Sequence, residues 1–403
     1  MRVMTDHQED GLTEGRAEPS SWVQVGASSE GDTNSALQDA LGQLSLHRAP
    51  RLVLVFAAPH HDFGRIAEHL GSALPHSAVV GCSTAGEIAS SGALSRSLVL
   101  WALGGSGITV CSGWGEAGQQ GLRGAAADAA ACLNGLQRRQ HTVLLLLSDG
   151  LAGNQMEVVR GAYDVAHHDV PLVGGCAGDD LAMRRTRQLH GTRVLSNAVV
   201  AAAISSDQPL GVGVSHGWTP VSAPMLVTDS HDTRLEKLDD RAALDVYLDF
   251  FDPPQEVRDD PSAFAAFAAT HPIGIRRRDR IEMRHITGWD AENRALLMVA
   301  EVPQGALAFL TQGDLDSVLK AAVTSTQDAI AGLGDCQPVG LLLFDCVSRR
   351  SIFGDLGLKE ETARITESSG GVPMAGFYTY GEIARSSGSG GFHNQTLVTL
   401  AIG

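Results

Sequence analysis

Three short segments of this 403-residue chain combine glycines with a carboxyl group in a similar order, and two of them also contain hydroxyl groups. They are residues 81–87 (GCSTAGE), 174–179 (GGCAGD) and 376–382 (GFYTYGE). Glycines allow a tight turn whose backbone N–H groups point outward, and such a turn can bind a carboxylate or a phosphate. Together with a hydroxyl and a carboxylate, it suits a small zwitterion such as an amino acid. The alternative is structural: the glycines make the turn and the acid caps the next segment.

Each turn follows a predicted strand, and ligands of open α/β sheets collect at the carboxyl ends of strands. The candidate ligand-binding residues of the turns are Ser83, Thr84, Glu87, Asp179, Tyr378, Thr379, Tyr380 and Glu382. A further strand ends at Cys346 and Arg349, which are added as candidates.

The third turn and the strand end at residues 346–349 are expected to line one pocket, because consecutive strand–helix units place their strand ends on one edge. Glu382 would pair with a ligand ammonium group and Arg349 with its carboxylate. A surface position beside Arg350 is the alternative for Arg349. A corresponding site with Thr84, Glu87 and Asp179 follows from the repeat.

Other chemistries fit the sequence less well. Glu87 stands where a phosphate-binding loop needs Lys, so that loop is excluded. A hydrolase using Cys346 or Ser83 is an alternative, but no G-x-S-x-G motif surrounds Ser83 and no histidine lies near Cys346 in sequence. We therefore do not expect an enzyme.

The 15 histidines form neither H-E-x-x-H nor C-x-x-C-H motifs. No cofactor and no metal are expected. Should haem be bound, the axial candidates are His216, His271 and His393, with a satisfied structural histidine as the alternative for each.

The composition restricts the partners. A formal net charge of −16 repels phosphate backbones and anionic lipid, so neither nucleic acid nor a membrane is expected as a partner. The longest apolar runs are too short to span a bilayer. The six cysteines are far apart, which favours reduced thiols in the cytoplasm. Residues 1–21 are acidic, have no apolar core and are predicted to be a flexible tail.

A pattern of about fifty residues occurs three times and predicts the elements that position these side chains. Each copy has a buried strand, an amphipathic helix, a second strand that runs into the turn, and a final strand. The first strands are 52–56, 142–147 and 339–344, and the final ones are 98–103, 198–204 and 396–402. Strand–helix–strand units cross over right-handed and place helices on the sheet faces.

The prediction is an α/β (or α+β) fold of two duplicated domains, built from repeated βαβ-plus-hairpin units with mixed sheets. The domains are predicted at 22–215 and 216–403. Within the second, residues 242–251 and 314–331 are predicted helices, and short antiparallel strands are predicted between 282 and 310.

Seven segments resemble the FIST sensory domain when taken in chain order. They are residues 80–88, 174–179 and 217–220 for its N-terminal part, and 271–274, 344–349, 376–383 and 393–397 for its C-terminal part. The closing segment adds Asn394 to the candidate ligand-binding residues. The resemblance covers about residues 22–403.

The resemblance implies a signal-input module that binds a small ligand, an amino acid or related metabolite, and acts beside two-component or cyclic-dinucleotide proteins, or F-boxes in eukaryotes. Some bacterial members are reported as haem-dependent nitric oxide sensors, which is the alternative here. Because no output segment follows residue 403, we expect a stand-alone cytoplasmic protein that signals to a separate histidine kinase or cyclic-dinucleotide enzyme.

Overall fold

The computed structural model describes residues 20–277, 280–385 and 391–403. Residues 1–19 of the predicted tail lie outside the described residues. Within the described ranges, no helix is both long and apolar enough to cross a membrane. The predicted α/β fold with mixed sheets is confirmed.

Three repeats share one element order, and the third carries a long insert. The first repeat comprises β1 (Trp22–Ser28), α1 (Thr33–Gly42), β2 (Leu52–Ala57), α2 (Phe63–Ala73), β3 (Ala78–Ser83), β4 (Glu87–Ala89), β5 (Gly92–Leu94) and β6 (Leu98–Gly104). The second comprises β7 (Ile108–Glu116), α3 (Gly121–Ala130), the 3-10 turn Ala131–Gly135, β8 (His141–Asp149), α4 (Met156–Ala166), β9 (Leu172–Ala177), β10 (Gln188–His190), β11 (Arg193–Leu195) and β12 (Ala198–Ser206).

The third repeat opens with β13 and is then interrupted. The strand β13 spans Leu210–Ser215. The insert that follows it comprises β14 (Thr219–Pro220), β15 (Met225–His231), β16 (Arg234–Leu238), β17 (Arg241–Ala242), α5 (Ala243–Phe251), α6 (Gln255–Asp259), α7 (Pro261–Thr270), β18 (Ile273–Arg277), β19 (Arg280–Arg284), β20 (Ile286–Asp290), β21 (Ala295–Met298) and β22 (Leu307–Gln312). The repeat resumes with α8 (Leu315–Ala331), β23 (Gly340–Cys346), α9 (Val347–Ser368), β24 (Met374–Thr379), β25 (Glu382–Arg385), β26 (Phe392–His393) and β27 (Leu397–Ile402).

Each repeat therefore begins one strand and one helix earlier than the sequence pattern predicts. The opening strands β1, β7 and β13 pair antiparallel with the final strands β6, β12 and β27. The predicted domain boundary coincides with the end of β13, which lies in the sheet of the third repeat.

The short hairpins are exchanged between repeats. The first repeat gives β4–β5 to the third, where β4 pairs with β24. The second gives β10–β11 to the first, where β10 pairs with β3. The third gives β25–β26 to the second, where β25 pairs with β9. The three six-stranded sheets are thus each built from two repeats.

The inner faces of these sheets meet in one apolar core. Alternation along β2 explains how: Leu52, Leu54 and Phe56 enter the common core, while Val53 and Val55 pack under α1 and α2. Helices α3 and α4, and likewise α8 and α9, cover the outer faces of the other two sheets. Strands buried on both faces read as continuous apolar runs, which is why they were predictable.

The insert forms an antiparallel sheet of its own with α5 and α7 packed against it. The predicted helix 242–251 corresponds to α5, and the predicted helix 314–331 corresponds to α8. Asp314 caps the N-terminus of α8, where its side chain accepts a hydrogen bond from the backbone N–H of Ser317. Short antiparallel strands between 282 and 310 are also confirmed.

Candidate ligand-binding site

A cavity of about 410 Å³ lies where the insert covers the carboxyl ends of β8, β9, β23 and β24. It therefore sits between the second and third repeats, at the edge where α/β proteins bind ligands. Its lining consists of Gly150, Leu181, Met183, Ala265, Ala266, Ala269, His285, Thr287, Val299, Cys346, Val347, Ser348, Ser351, Tyr380 and Asn394.

Three of the predicted ligand-binding residues, Cys346, Tyr380 and Asn394, line this cavity. Cys346 ends β23 and is the N-cap residue of α9, so the first turn of that helix also faces the cavity. The opposite wall is the alanine-rich helix α7, whose small side chains leave room between the insert and the strand ends.

The histidine in the wall has a defined tautomer. Gln395 Nε2 donates to the carbonyl oxygen of Ala269 at 3.1 Å, which fixes the orientation of its amide. The same Nε2 lies 2.8 Å from Nδ1 of His285, which must accept, so the ring proton is on Nε2. Burial lowers the pKa of His285 to about 4, and the ring is neutral.

Asn394 brings an unpaired acceptor to the site. Its side chain is 1 % exposed, and within the described part of the chain its Oδ1 has no hydrogen-bond partner. An unpaired buried amide oxygen is costly. A ligand in the cavity is one way for Asn394 to find its partner.

Tyr380 connects the cavity to the protein surface. Its hydroxyl donates to Oδ1 of Asp179 at 2.6 Å and accepts from the N–H of Leu181 at 2.8 Å. The Asp179 carboxylate also accepts from the N–H groups of Met183, Arg184 and Arg185. Burial alone would raise the pKa of Asp179, but these hydrogen bonds outweigh it and lower the pKa.

Residues 179–185 therefore form a surface segment that the hydrogen bonds of Tyr380 and Asp179 hold in place. We call it the mouth segment. Leu181 and Met183 are 56 % and 63 % exposed while lining the cavity. Asp180, Leu181 and Met183 have φ of 55°, 62° and 52°, a conformation that is unfavourable for residues other than glycine.

The turn glutamates occupy a structural position. Glu382 accepts from Thr379 Oγ1 at 2.5 Å and from the N–H and hydroxyl of Thr396, directly before β27. Glu87 accepts in the same way from Thr84 and from Ser97, directly before β6. Neither glutamate lines the cavity. These contacts correct the prediction that Glu382 meets a ligand ammonium group: each acid binds the residue that precedes the final strand of its repeat.

The glycines of these turns serve two purposes. Gly86 has φ 114°, as predicted for a glycine turn, and a Cβ there would meet Arg350. Gly381 is needed for space instead, since a Cβ would lie 2.4 Å from the ring of Phe392.

The prediction that Arg349 binds a ligand carboxylate is also corrected. Its side chain is fully buried and donates to Asp345 and Glu361, each at 2.6 Å. Burial raises the pKa of both carboxyl groups, which face a single guanidinium. Arg349 does not line the cavity and has its counter-charges within the protein. It therefore connects Asp345 at the end of β23 with Glu361 in α9, and it is not available to a ligand carboxylate.

Two further candidates also lie away from the cavity. Ser83 donates to the carbonyl oxygen of Gly178 and accepts from the N–H of Arg187, so it joins β3 to the second repeat. Tyr378 is fully buried under Arg350, whose guanidinium lies 5.2 Å from the ring centre. The residues predicted for a second site, Thr84, Glu87 and Asp179, do not line this cavity either.

None of the three histidines predicted as axial haem ligands lines the cavity. His216 accepts the N–H of Trp218 at 3.1 Å, and His393 lies 3.0 Å from the carbonyl oxygen of Ala384. His271 stacks on Phe267 with Nδ1 on that residue's carbonyl oxygen. Among the described residues, no group of three His, Cys, Asp or Glu side chains could hold a metal ion.

The hydrolase alternative does not fit either. Burial raises the pKa of the Cys346 thiol, and the lone pair of His285 that could act as a base is occupied by Gln395. Ser83 is buried in backbone contacts.

The sequence analysis missed His285, Gln395 and the apolar residues of α7 and the mouth segment. The alanines at 265, 266 and 269 were a usable signal, since a helix with small residues on one side allows close approach or a cavity.

Two family models match the chain in sequence order. The FIST N domain matches residues 51–241 and the FIST C domain matches residues 243–385. The chain belongs to the FIST family. FIST domains are associated with sensing and signal transduction, and the resemblance in the sequence is confirmed.

Two relatives of this FIST protein are uncharacterized mycobacterial proteins. An uncharacterized protein of Mycobacterium tuberculosis strain H37Rv is 26 % identical over 230 residues, which are 56 % of this chain and 59 % of the relative. An uncharacterized protein of Mycobacterium bovis is 24 % identical over 229 residues, 56 % of this chain and 58 % of the relative. The match covers less than two thirds of either relative.

Proposed function

We propose that this FIST protein senses a small molecule, which occupies the cavity between the insert and the strand ends. The observation that carries the proposal is the unpaired Oδ1 of Asn394, nearly fully buried in the wall of a cavity of about 410 Å³. Volumes of this order are typical of small-molecule sites. The proposed role is binding rather than catalysis. The proposed location is the cytoplasm, which the widely spaced free cysteines support.

The ligand signal passes to a separate protein, a histidine kinase or a cyclic-dinucleotide enzyme. Support for a relay comes from the mouth segment, because Leu181 and Met183 contribute to the cavity wall and also to the surface. A ligand that contacts Tyr380 therefore acts on the group that anchors this segment.

The test is native mass spectrometry of the purified protein, followed by thermal shift with a panel of metabolites that includes the amino acids. We expect a bound mass or a stabilising compound, and loss of both in Ala269→Phe, which fills the cavity. Ala331→Phe, at the exposed end of α8, is the matched control. Binding that persists unchanged in Ala269→Phe would move the site elsewhere.

The relay is tested by hydrogen exchange. An added ligand should change the exchange of the mouth-segment amides. The double variant Leu181→Asp and Met183→Asp should reduce binding to a candidate histidine kinase or cyclic-dinucleotide enzyme. Unchanged exchange in a ligand-saturated protein would argue against this route.

A further inference from the structure

The cavity wall formed by the described residues is uncharged. None of these lining residues has an acidic side chain or the ammonium or guanidinium group of Lys or Arg, and the ring of His285 is neutral. A charged ligand would lose its hydration without gaining a counter-charge, and this desolvation is expensive. The wall is mainly apolar, with leucine, methionine, valine and alanine side chains.

Two charged groups close to the cavity, Asp179 and Arg349, have their partners within the protein. The Asp179 carboxylate accepts from three backbone N–H groups and the Tyr380 hydroxyl. Arg349 is paired with Asp345 and Glu361. A zwitterion entering the cavity would therefore meet no free partner for either of its charges among these residues.

Two polar groups in the wall are complementary. The tautomer fixed through Gln395 leaves His285 with a donor, Nε2–H. Asn394 supplies a carboxamide whose Oδ1 is buried without a partner and whose orientation no hydrogen bond within the described part of the chain fixes, so the amide can turn to present Oδ1 to the cavity. One donor and one acceptor in an apolar, neutral wall recognise a neutral polar group.

We propose that the ligand is an uncharged, largely apolar molecule that presents an acceptor to His285 and a donor to Asn394, as a neutral carboxamide, lactam or cyclic imide does. The inference rests on the proposed function, because it assigns a ligand class to the same cavity. It replaces the amino acid expected from the turns.

One feature favours a competing class. The first turn of α9 faces the cavity through Val347 and Ser348, and free N–H groups at a helix N-terminus attract anions. An anion is therefore the competitor that the experiment must include.

Three nearly isosteric probes separate these classes: benzamide is neutral, benzoate is an anion and benzamidine is a cation. Titration calorimetry, supported by saturation-transfer NMR, measures each affinity. We expect benzamide to bind at least about tenfold more tightly than either charged probe, because a charged probe gives up its hydration and finds no counter-charge in the cavity. Asn394→Leu, which keeps the volume and removes the acceptor, should weaken benzamide about tenfold without lowering the melting temperature.

The outcomes distinguish this inference from the proposed function on which it rests. Benzoate or benzamidine binding as tightly as benzamide, with loss in Ala269→Phe, would overturn the neutral ligand class while keeping the cavity as the site. Benzamide affinity unchanged in Asn394→Leu would overturn the assigned contact. No binding of any probe at millimolar concentration, or binding that survives Ala269→Phe, would overturn both the ligand class and the proposed site.

Discussion

The hydroxyl of Tyr380 donates to the carboxylate of Asp179 at 2.6 Å, across 201 residues of chain. One residue follows β24 in the third repeat and the other follows β9 in the second. The contact therefore joins two repeats at the rim of the cavity, and it is the point at which cavity and mouth segment meet.

Tyr380→Phe should loosen the mouth segment. The ring is kept, but the N–H groups of Asp179 and Leu181 lose their acceptor, so stability should fall by about 1–2 kcal/mol. Hydrogen exchange followed by mass spectrometry should show faster exchange over residues 179–185. Tyr163→Phe, on an exposed face of α4, is the control and should leave that exchange unchanged. Equal protection in both variants would contradict the anchoring role.

Glu382→Gln should change how stability depends on pH while leaving ligand affinity intact. Burial raises the pKa of Glu382 from 4.5 to about 8 in the folded state, despite the hydrogen bonds from Thr379 and Thr396. Between these values the folded protein holds a proton that the unfolded chain has released. Stability therefore falls as pH rises through this window, by up to about 1.4 kcal/mol per pH unit, and the variant should lack that slope.

Glu87→Gln is the matched comparison, since Glu87 has the same contacts but a pKa of about 7. Urea unfolding should be measured from about pH 5 to about pH 9. The fall in stability with pH that Glu87→Gln removes should end near pH 7, whereas the fall that Glu382→Gln removes should continue to about pH 8. Lower ligand affinity in Glu382→Gln, with an unchanged stability profile, would instead restore Glu382 to the binding site.

Arg349→Met should destabilise the fold by about 3–5 kcal/mol, because it leaves Asp345 and Glu361 buried without a cation. Arg349→Met combined with Glu361→Met should be less destabilised than the single variant, as measured by urea unfolding. A double variant that loses stability additively would show that the two side chains act separately.

Division of the chain between residues 215 and 216 should give two fragments that do not fold alone. The first loses β25, which pairs with β9, and the second loses β4, which pairs with β24. We expect broad, non-cooperative urea unfolding for each fragment and recovery of a folded complex on co-expression. A sharp transition for either isolated fragment would contradict this.

The strands of the central core could be predicted because burial on both faces makes them apolar throughout, and the turns because their residues repeat. The exchange of hairpins could not be predicted, since residues 87–94 have no local feature that selects β24 over β3 as a partner. Part of the lining of the candidate cavity could be predicted: the rule that ligands collect at strand ends selected Cys346 and Tyr380, which line it. The rule failed for Arg349, because the decisive partner, Glu361, follows 12 residues later in a kinked helix.

The exchange of hairpins also bears on how such a chain can originate. Each repeat gives to one neighbour and receives from the other, and the cycle closes after three steps. A contact of this kind between separate subunits would be heterologous and would generate a ring with threefold rotational symmetry. Three copies of one ancestral strand–helix unit could satisfy their sheet edges in the same way as a swapped homotrimer. Fusion into a single chain then frees each copy to diverge. The insert of the third repeat makes the junctions between repeats unequal, and the cavity lies at the junction between the second and third repeats.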